Sequence, residues 1–221
     1  MQINPAILTD SLATFAQQLD LVKQQSDIKV VQIDIIDALF ADNVTVSPSD
    51  LIDFDFAQLS IDFHLMTEEP MDYVWELIEC GKRLPTRSVI GQIEKMSQQS
   101  DFLEEVKKSG WQTGLALDLF TPLENIEDSS WENLDQVLLM AVEAGQQGQF
   151  FNKLVLDKIK ELKTLSGKID KRLRISVDGG VKAEYLKILE KSGVDQVAIG
   201  SALFNAQNFD LAFNNLKKEL L

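Results

Sequence analysis

Cysteine is almost absent. Cys80 stands alone, so no disulfide can form within the chain, and a reducing compartment is expected. Histidine is as scarce, with His64 the single one. Proline is sparse, and no linker or low-complexity stretch divides the chain. No apolar run reaches the roughly 18–20 residues that a bilayer span requires. The first residues, Met1 to Asp10, carry neither a basic segment nor an apolar signal core. A cytoplasmic protein without a membrane partner is expected. Positive charge is also in deficit, 21 Lys and Arg against 35 Asp and Glu, for a net charge of −14. Such a surface repels a phosphate backbone, which excludes nucleic acid as a partner. A small anionic substrate would need local positive potential from backbone N–H groups or a metal.

What is present is a core and a repeat. Hydrophobic residues make up 45% of 221, enough for one domain of barrel size spanning residues 1–221. Short Val-, Ile- and Leu-rich runs recur at Ile3–Leu8, Lys29–Ile36, Leu59–Met66, Arg87–Ile93, Gln112–Leu119, Gln136–Val142, Arg172–Val177 and Asp195–Ile199. They are apolar on both faces, as parallel strands covered on both sides should be. Between them run amphipathic patterns. Leu12, Phe15, Ala16, Leu19 and Val22 form one helical stripe, as do Val155, Ile159 and Leu162, and Phe209, Phe213, Leu216 and Leu220. Gly81, Gly110, Gly167 and Gly193 fall where left-handed helix caps would turn the chain back. Ser47–Phe56 and Thr121–Asp128 are weaker helical patterns. Eight βα units at roughly 28 residues each predict a closed (β/α)₈ TIM barrel. An open doubly wound sheet is the alternative, but no G-x-G-x-x-G follows the first strand.

Alternate residues of barrel strands point inward, and chemistry sits at the carboxyl ends. Gln32, Asp34 and Ile36 share one face of the second strand; Asp62, His64 and Met66 share one face of the third. Asp178 closes the seventh, just before Gly179-Gly180. Each has a plain structural reading: a core histidine with its hydrogen bonds made, or an aspartate capping a helix. Together they are costly to bury unless they pair or hold a metal. Asp34, His64 and Asp178 form a nitrogen/oxygen set suited to Zn²⁺, Mn²⁺ or Fe²⁺ with open positions for substrate. Ser176-Val-Asp-Gly-Gly180 and Ala198-Ile-Gly-Ser201 follow strands seven and eight, where such barrels bind phosphate through backbone N–H groups. The alternative for these glycines is a pair of tight turns.

Further motifs follow in order along the chain. They are Pro5-Ala-Ile-Leu8, Gln32-Ile-Asp-Ile-Ile-Asp37 with Phe40 and Asn43, Asp62-Phe-His-Leu-Met66, and Leu115-Ala-Leu-Asp-Leu-Phe-Thr-Pro-Leu-Glu124. Val137-Leu-Leu-Met140 with Gly145, Gly148 and Gln149, then Val177-Asp-Gly-Gly180 and Gly200-Ser-Ala-Leu-Phe204, complete the set. Along nearly its whole length the sequence resembles the ribulose-phosphate 3-epimerases. The resemblance implies a metal-assisted epimerisation at C3 of a ketopentose 5-phosphate, ribulose 5-phosphate to xylulose 5-phosphate. It implies Asp34 and Asp178 as the acid/base pair and, with His64, as metal ligands. It further implies Met66 and Met140 beside the reacting carbons, and Gly148, Gly179, Gly180, Gly200 and Ser201 around the phosphate. A homo-oligomer with a small sugar-phosphate substrate is expected.

The sequence departs from that family at the metal. The family's first metal-binding His is Gln32 here, its first-strand Ser is Ala6, its second-strand Met is Ile36, and its fourth-strand His is Gln92. The loop Glu143-Ala-Gly-Gln-Gln-Gly-Gln149 lacks the family's Pro, Phe and one Gly. Two functions therefore compete: an epimerase with three strong metal ligands, and a sugar-phosphate-binding barrel that no longer turns over. A third, a metal-independent decarboxylase, would want Asp-x-Lys-x-x-Asp, but Ile36 takes the lysine position in Asp34-Ile-Ile-Asp37.

Overall fold

The computed structural model describes residues 1–145, 148–167 and 172–220. Eight strands pair in parallel in chain order, and the last closes on the first. They are β1 Gln2–Ile7, β2 Val30–Ile36, β3 Ser60–Met66, β4 Thr86–Gln92, β5 Gln112–Leu117, β6 Gln136–Met140, β7 Arg174–Asp178 and β8 Gln196–Ile199. The expected (β/α)₈ barrel is the fold. Helices α1 Leu12–Lys23, α2 Pro70–Cys80, α3 Gln99–Lys108, α4 Val155–Ser166, α5 Ala183–Ser192, the single turn α6 Ser201–Phe204 and α7 Phe209–Lys218 lie outside it. Among the described residues no helix is long and apolar enough to cross a membrane.

Strand residues facing outward pack under the helices. Ile33, Ile35, Phe63, Leu65 and Val89 meet Phe15, Leu19 and Val22 of α1, Val74 and Leu77 of α2, and Phe102 of α3 in one continuous core. Burying each such side chain contributes on the order of 1.5–3 kcal/mol. Helix α1 starts where the Ser11 side chain accepts the Thr14 N–H at 3.3 Å, satisfying one free donor of the first turn.

The two weak helical patterns did not become α-helices. After β2 the chain makes a 3₁₀ turn at Pro48–Leu51, and after β5 two more at Leu123–Asn125 and Asp128–Asn133. Proline and clustered Asp and Ser favour turns over a long helix. Gly81, Gly110 and Gly193 take positive φ, but Gly167 sits at −65° and ends α4 in an ordinary helical conformation.

The barrel interior divides in two. Toward the carboxyl end Ile90, Ala116, Leu138, Met140 and Val142 form a small apolar cluster. Toward the amino end the buried side chains are polar. Asn4 Nδ2 donates to Gln196 Oε1 at 3.1 Å, and Gln196 Nε2 to Ser176 Oγ at 3.3 Å. Gln136 donates to Ser88. Arg87 reaches in through an irregularity: Ile61 pairs with Thr86 but Asp62 pairs with Ser88, so Arg87 is the extra residue of a bulge. Its Nε donates to Asp62 Oδ1 at 2.8 Å, and its Nη2 to Asp62 Oδ2 and to Gln196 Oε1. Asp62 thus faces inward beside Gln32, below the rim, and its partner is an arginine.

Removing one member of a buried ion pair strands the other, at about 3–5 kcal/mol. Arg87→Met should lose stability of that order in urea unfolding, and Asp62→Leu combined with Arg87→Met should lose less. A loss below about 1 kcal/mol in Arg87→Met would mean that the pair does not hold the barrel floor together.

Candidate active site

Inward alternation on β2 and β3 brings Asp34 and His64 side by side as register partners, and Met140 of β6 is the register partner of Asp178 at the end of β7. One ligand atom from each of Asp34, His64 and Asp178 lies within 4.8 Å of the other two. His64 Nδ1 is 3.1 Å from Asp34 Oδ1 and 3.9 Å from Asp178 Oδ2. The imidazole is fully buried. Between the carboxylates sits Gln32, whose Nε2 donates to Asp34 Oδ1 at 2.8 Å and to Asp178 Oδ2 at 2.6 Å.

The electrostatics follow from this crowding. Burial, and then the Asp34 charge beside it, push the Asp178 carboxyl up to about 7. His64, the Gln32 amide and the Gly179 N–H pull the other way. Burial works against a charged His64, but the Asp34 hydrogen bond and the charges of Asp34 and Asp178 outweigh it, so its pKa is raised. Both shifts favour the protonated forms of His64 and Asp178.

Gln92 fixes the histidine's other face. With its amide oxygen toward His64 Nε2, its nitrogen donates to the Ala116 carbonyl at 3.0 Å and to Glu94 Oε2 at 2.7 Å. That orientation accepts a hydrogen from Nε2 and leaves Nδ1 to the carboxylates. A histidine that ligates a metal through one nitrogen ordinarily donates the other N–H to such an acceptor.

One pocket joins this cluster to the glycines. Asp34, Met66, Met140, Gly148, Asp178, Gly179, Gly180, Gly200 and Ser201 all line it, with Ala6 and Ala198 leaving its floor open. His64 lies behind the two carboxylates. Among the described residues no lysine or arginine lines the pocket, and the groups there for an anion are backbone N–H groups and the Ser201 hydroxyl. The glycines also serve packing. A β-carbon at Gly180 (φ +63) would lie 2.4 Å from the Phe151 nitrogen and 2.7 Å from the Gln149 carbonyl oxygen. The segment after β6 is tied across to the segment after β2, where Asn43 Nδ2 donates to the Gly145 carbonyl at 3.0 Å.

Two neighbours of the site were not singled out from sequence. Glu94 orients Gln92, and Asp118, after β5, accepts the Ala144 N–H at 2.6 Å while burial raises its carboxyl to about 6. Asp118 lies within the Leu115–Glu124 motif, and its placement after a strand was the available signal.

Known proteins resemble the chain throughout. The family model for the Ribulose-phosphate 3 epimerase family matches residues 2–204. Ribulose-phosphate 3-epimerase of Bacillus subtilis is 30% identical, with 98% of each chain covered. That of Escherichia coli strain K12 is 29% identical over 99% of this chain and 95% of the relative. Among solved structures, 3-hexulose-6-phosphate synthase from Salmonella typhimurium superposes with a TM-score of 0.67 at 18% identity, covering 100% of this chain and 98% of the other. A mutant tryptophan synthase α-subunit from Pyrococcus furiosus gives 0.66 at 15%, covering 99% and 97%. At such identities the structures speak for the barrel alone.

Gly180→Ala should be destabilised by more than the roughly 1–3 kcal/mol of a strained backbone, because its β-carbon also meets the Phe151 backbone. Gly110→Ala, also at positive φ but with nothing within 4 Å of the added carbon, should bear the conformational cost alone. Equal losses in thermal unfolding would show that close approach plays no part at Gly180.

Proposed function

The chain belongs to the ribulose-phosphate 3-epimerase family, and from that premise we propose that it inverts C3 of a ketopentose 5-phosphate, ribulose 5-phosphate to xylulose 5-phosphate. The observation carrying this reading is the Asp34, His64 and Asp178 cluster, compact to within 4.8 Å, on a pocket shared with Gly179, Gly180, Gly200 and Ser201. The phosphate binds to the glycine backbone and Ser201. Met66 and Met140 flank the sugar carbons and exclude water. Asp34 and Asp178 reach C3 from β2 and β7, with the small Ala6 and Ala198 of the intervening strands between them. One carboxylate removes the C3 proton to give an enediolate, and the other, in its protonated form, returns a proton from the opposite side.

The donor set fits a divalent cation, and the Nε2–H contact to Gln92 leaves His64 Nδ1 directed at the carboxylates. Asp34, His64 and Asp178 would hold Zn²⁺, Mn²⁺ or Fe²⁺, which when bound supplies positive charge to the enediolate oxygens. Gln32 presents N–H to the same carboxylate oxygens, and must turn its amide oxygen inward or withdraw for a cation to sit between them. The expected cytoplasmic location and homo-oligomeric state belong to the same proposal.

A second reading has one specific observation behind it. Gln32, where the family has a metal-binding histidine, donates to both carboxylates at once and stabilises the site without a cation. On that reading the barrel binds the sugar phosphate without turnover.

Metal content and turnover measured together separate the two. Wild type should bind Zn²⁺ or Mn²⁺ weakly and epimerise ribulose 5-phosphate slowly. Gln32→His should gain at least about tenfold in metal affinity, and on the order of 10²-fold in turnover with metal supplied. Retained binding of ribulose 5-phosphate with no turnover in wild type or Gln32→His would favour the silent barrel. Gly200→Leu should lose the sugar phosphate, since Gly200 lines the pocket beside Gly179, Gly180 and Ser201 and a leucine side chain would crowd it. Equal affinity in both proteins would place the phosphate elsewhere.

A further inference from the structure

Arginine is rare in this chain, at four residues, and three of them, Arg87, Arg172 and Arg174, line one concavity at the amino-end mouth of the barrel. In a molecule of net charge −14 this is a notable concentration of guanidinium groups. The concavity holds about 510 Å³ and lies on the face opposite the pocket described above. Its remaining walls are the side chains of Gln2, Gln112, Gln196, Asp135 and Asp195.

The acidic residues there are turned toward the strands. Asp135 Oδ2 accepts the Thr113 N–H at 3.0 Å. Asp195 Oδ2 accepts the Ile175 N–H at 2.9 Å, and its Oδ1 accepts from Arg172 Nη2 at 3.0 Å. Asp62 is taken by Arg87 from two nitrogens. Arg174 differs from both other arginines. It is half-buried, its Nη1 donates to the neutral Gln112 Oε1 at 2.8 Å, and its Nε and Nη2 make no hydrogen bond to a described residue. Burial and the neighbouring Arg87 guanidinium lower its pKa, against the opposing charges of Asp62, Asp195 and Asp135, none of which it contacts by a hydrogen bond.

Partly dehydrated guanidinium groups of this kind pair best with carboxylate or phosphate oxygens, which their fork geometry matches. We propose that this mouth is a second binding site, for a compact oxyanion held between Arg174 and Arg87, with Arg172 closing over it and the Gln2 and Gln112 amides at its edge. Phosphate and a small dicarboxylate share the required chemistry. The dimensions admit a compact anion, and the net charge of the molecule disfavours a polyanion.

The test is a titration of the ¹⁵N-labelled full chain with inorganic phosphate and, separately, with malonate. Resonances of Gln2, Gln112, Asp135 and Gln196 should shift and saturate, with the stronger anion identifying the preferred chemistry. In Arg174→Gln the apparent affinity at these resonances should fall at least tenfold, while Arg83→Gln, the arginine outside the mouth, should match wild type. Arg172 is largely exposed, so Arg172→Gln serves as a second variant should Arg174→Gln lose its dispersed spectrum. Absence of saturable shifts at the lower mouth with either anion would overturn the proposal, as would unchanged affinity in both mouth variants. Shifts confined to Gly179, Gly200 and Ser201 would overturn it while leaving the epimerase reading intact.

Discussion

Two carboxylates and an imidazole buried within 4.8 Å of one another require positive charge among them. Hydrogen-bond donation and retained protons within the cluster answer that requirement. Gln32 supplies amide hydrogens to both carboxylates, His64 faces them with Nδ1, and Asp178 retains a proton up to about 7. A divalent cation would meet the same demand with more charge, and it would bind by displacing those protons. On the proposed reading, the Gln32 amide and a cation would compete for the same carboxylate oxygens.

The barrel makes this cluster possible by dividing its interior. Ile90, Leu138 and Met140 give one side of the site an apolar wall, while the opposite end is closed by amides, serines and the Arg87–Asp62 pair. Gln32 stands at the boundary, a register partner of Asp62 and in hydrogen-bond contact with Asp34. The polar floor is fixed by a bulge that adds Arg87 to the interior, so the two ends of the barrel carry unlike chemistry on the same eight strands.

Much of this was legible in the sequence. The eight strand runs read correctly because parallel strands under helices must be apolar on both faces, and each ends within two residues of its reading. Alternation brought Asp34 and His64 together at the rim beside Asp178, and position after strands seven and eight put Gly179, Gly180, Gly200 and Ser201 on the pocket that the two carboxylates line. Alternation also placed Asp62 inward correctly, but gave no partner for it: Arg87 enters through a one-residue bulge, and a register shift leaves no mark in an apolar pattern. The segments after β2 and β5 read as weak helices and proved to be 3₁₀ turns, where proline and acidic residues outweighed a few apolar positions. Gly167 was expected in a left-handed cap and is right-handed, since a glycine at a helix end permits that conformation without requiring it. Gln92 looked like a lost histidine; its role in orienting His64 depended on Glu94 and the Ala116 carbonyl, contacts no spacing rule discloses.

Because His64 is the only histidine, its imidazole reports on the cluster without ambiguity. The most direct measurement is the ¹⁵N spectrum of that ring as Zn²⁺ is added. The Nδ1 resonance should move to a metal-bound position in a saturable way, while Nε2 keeps its proton in the hydrogen bond to Gln92. A ring spectrum unchanged at excess Zn²⁺, or a metal signature at Nε2, would contradict the claim that Asp34, His64 and Asp178 together form the cation site.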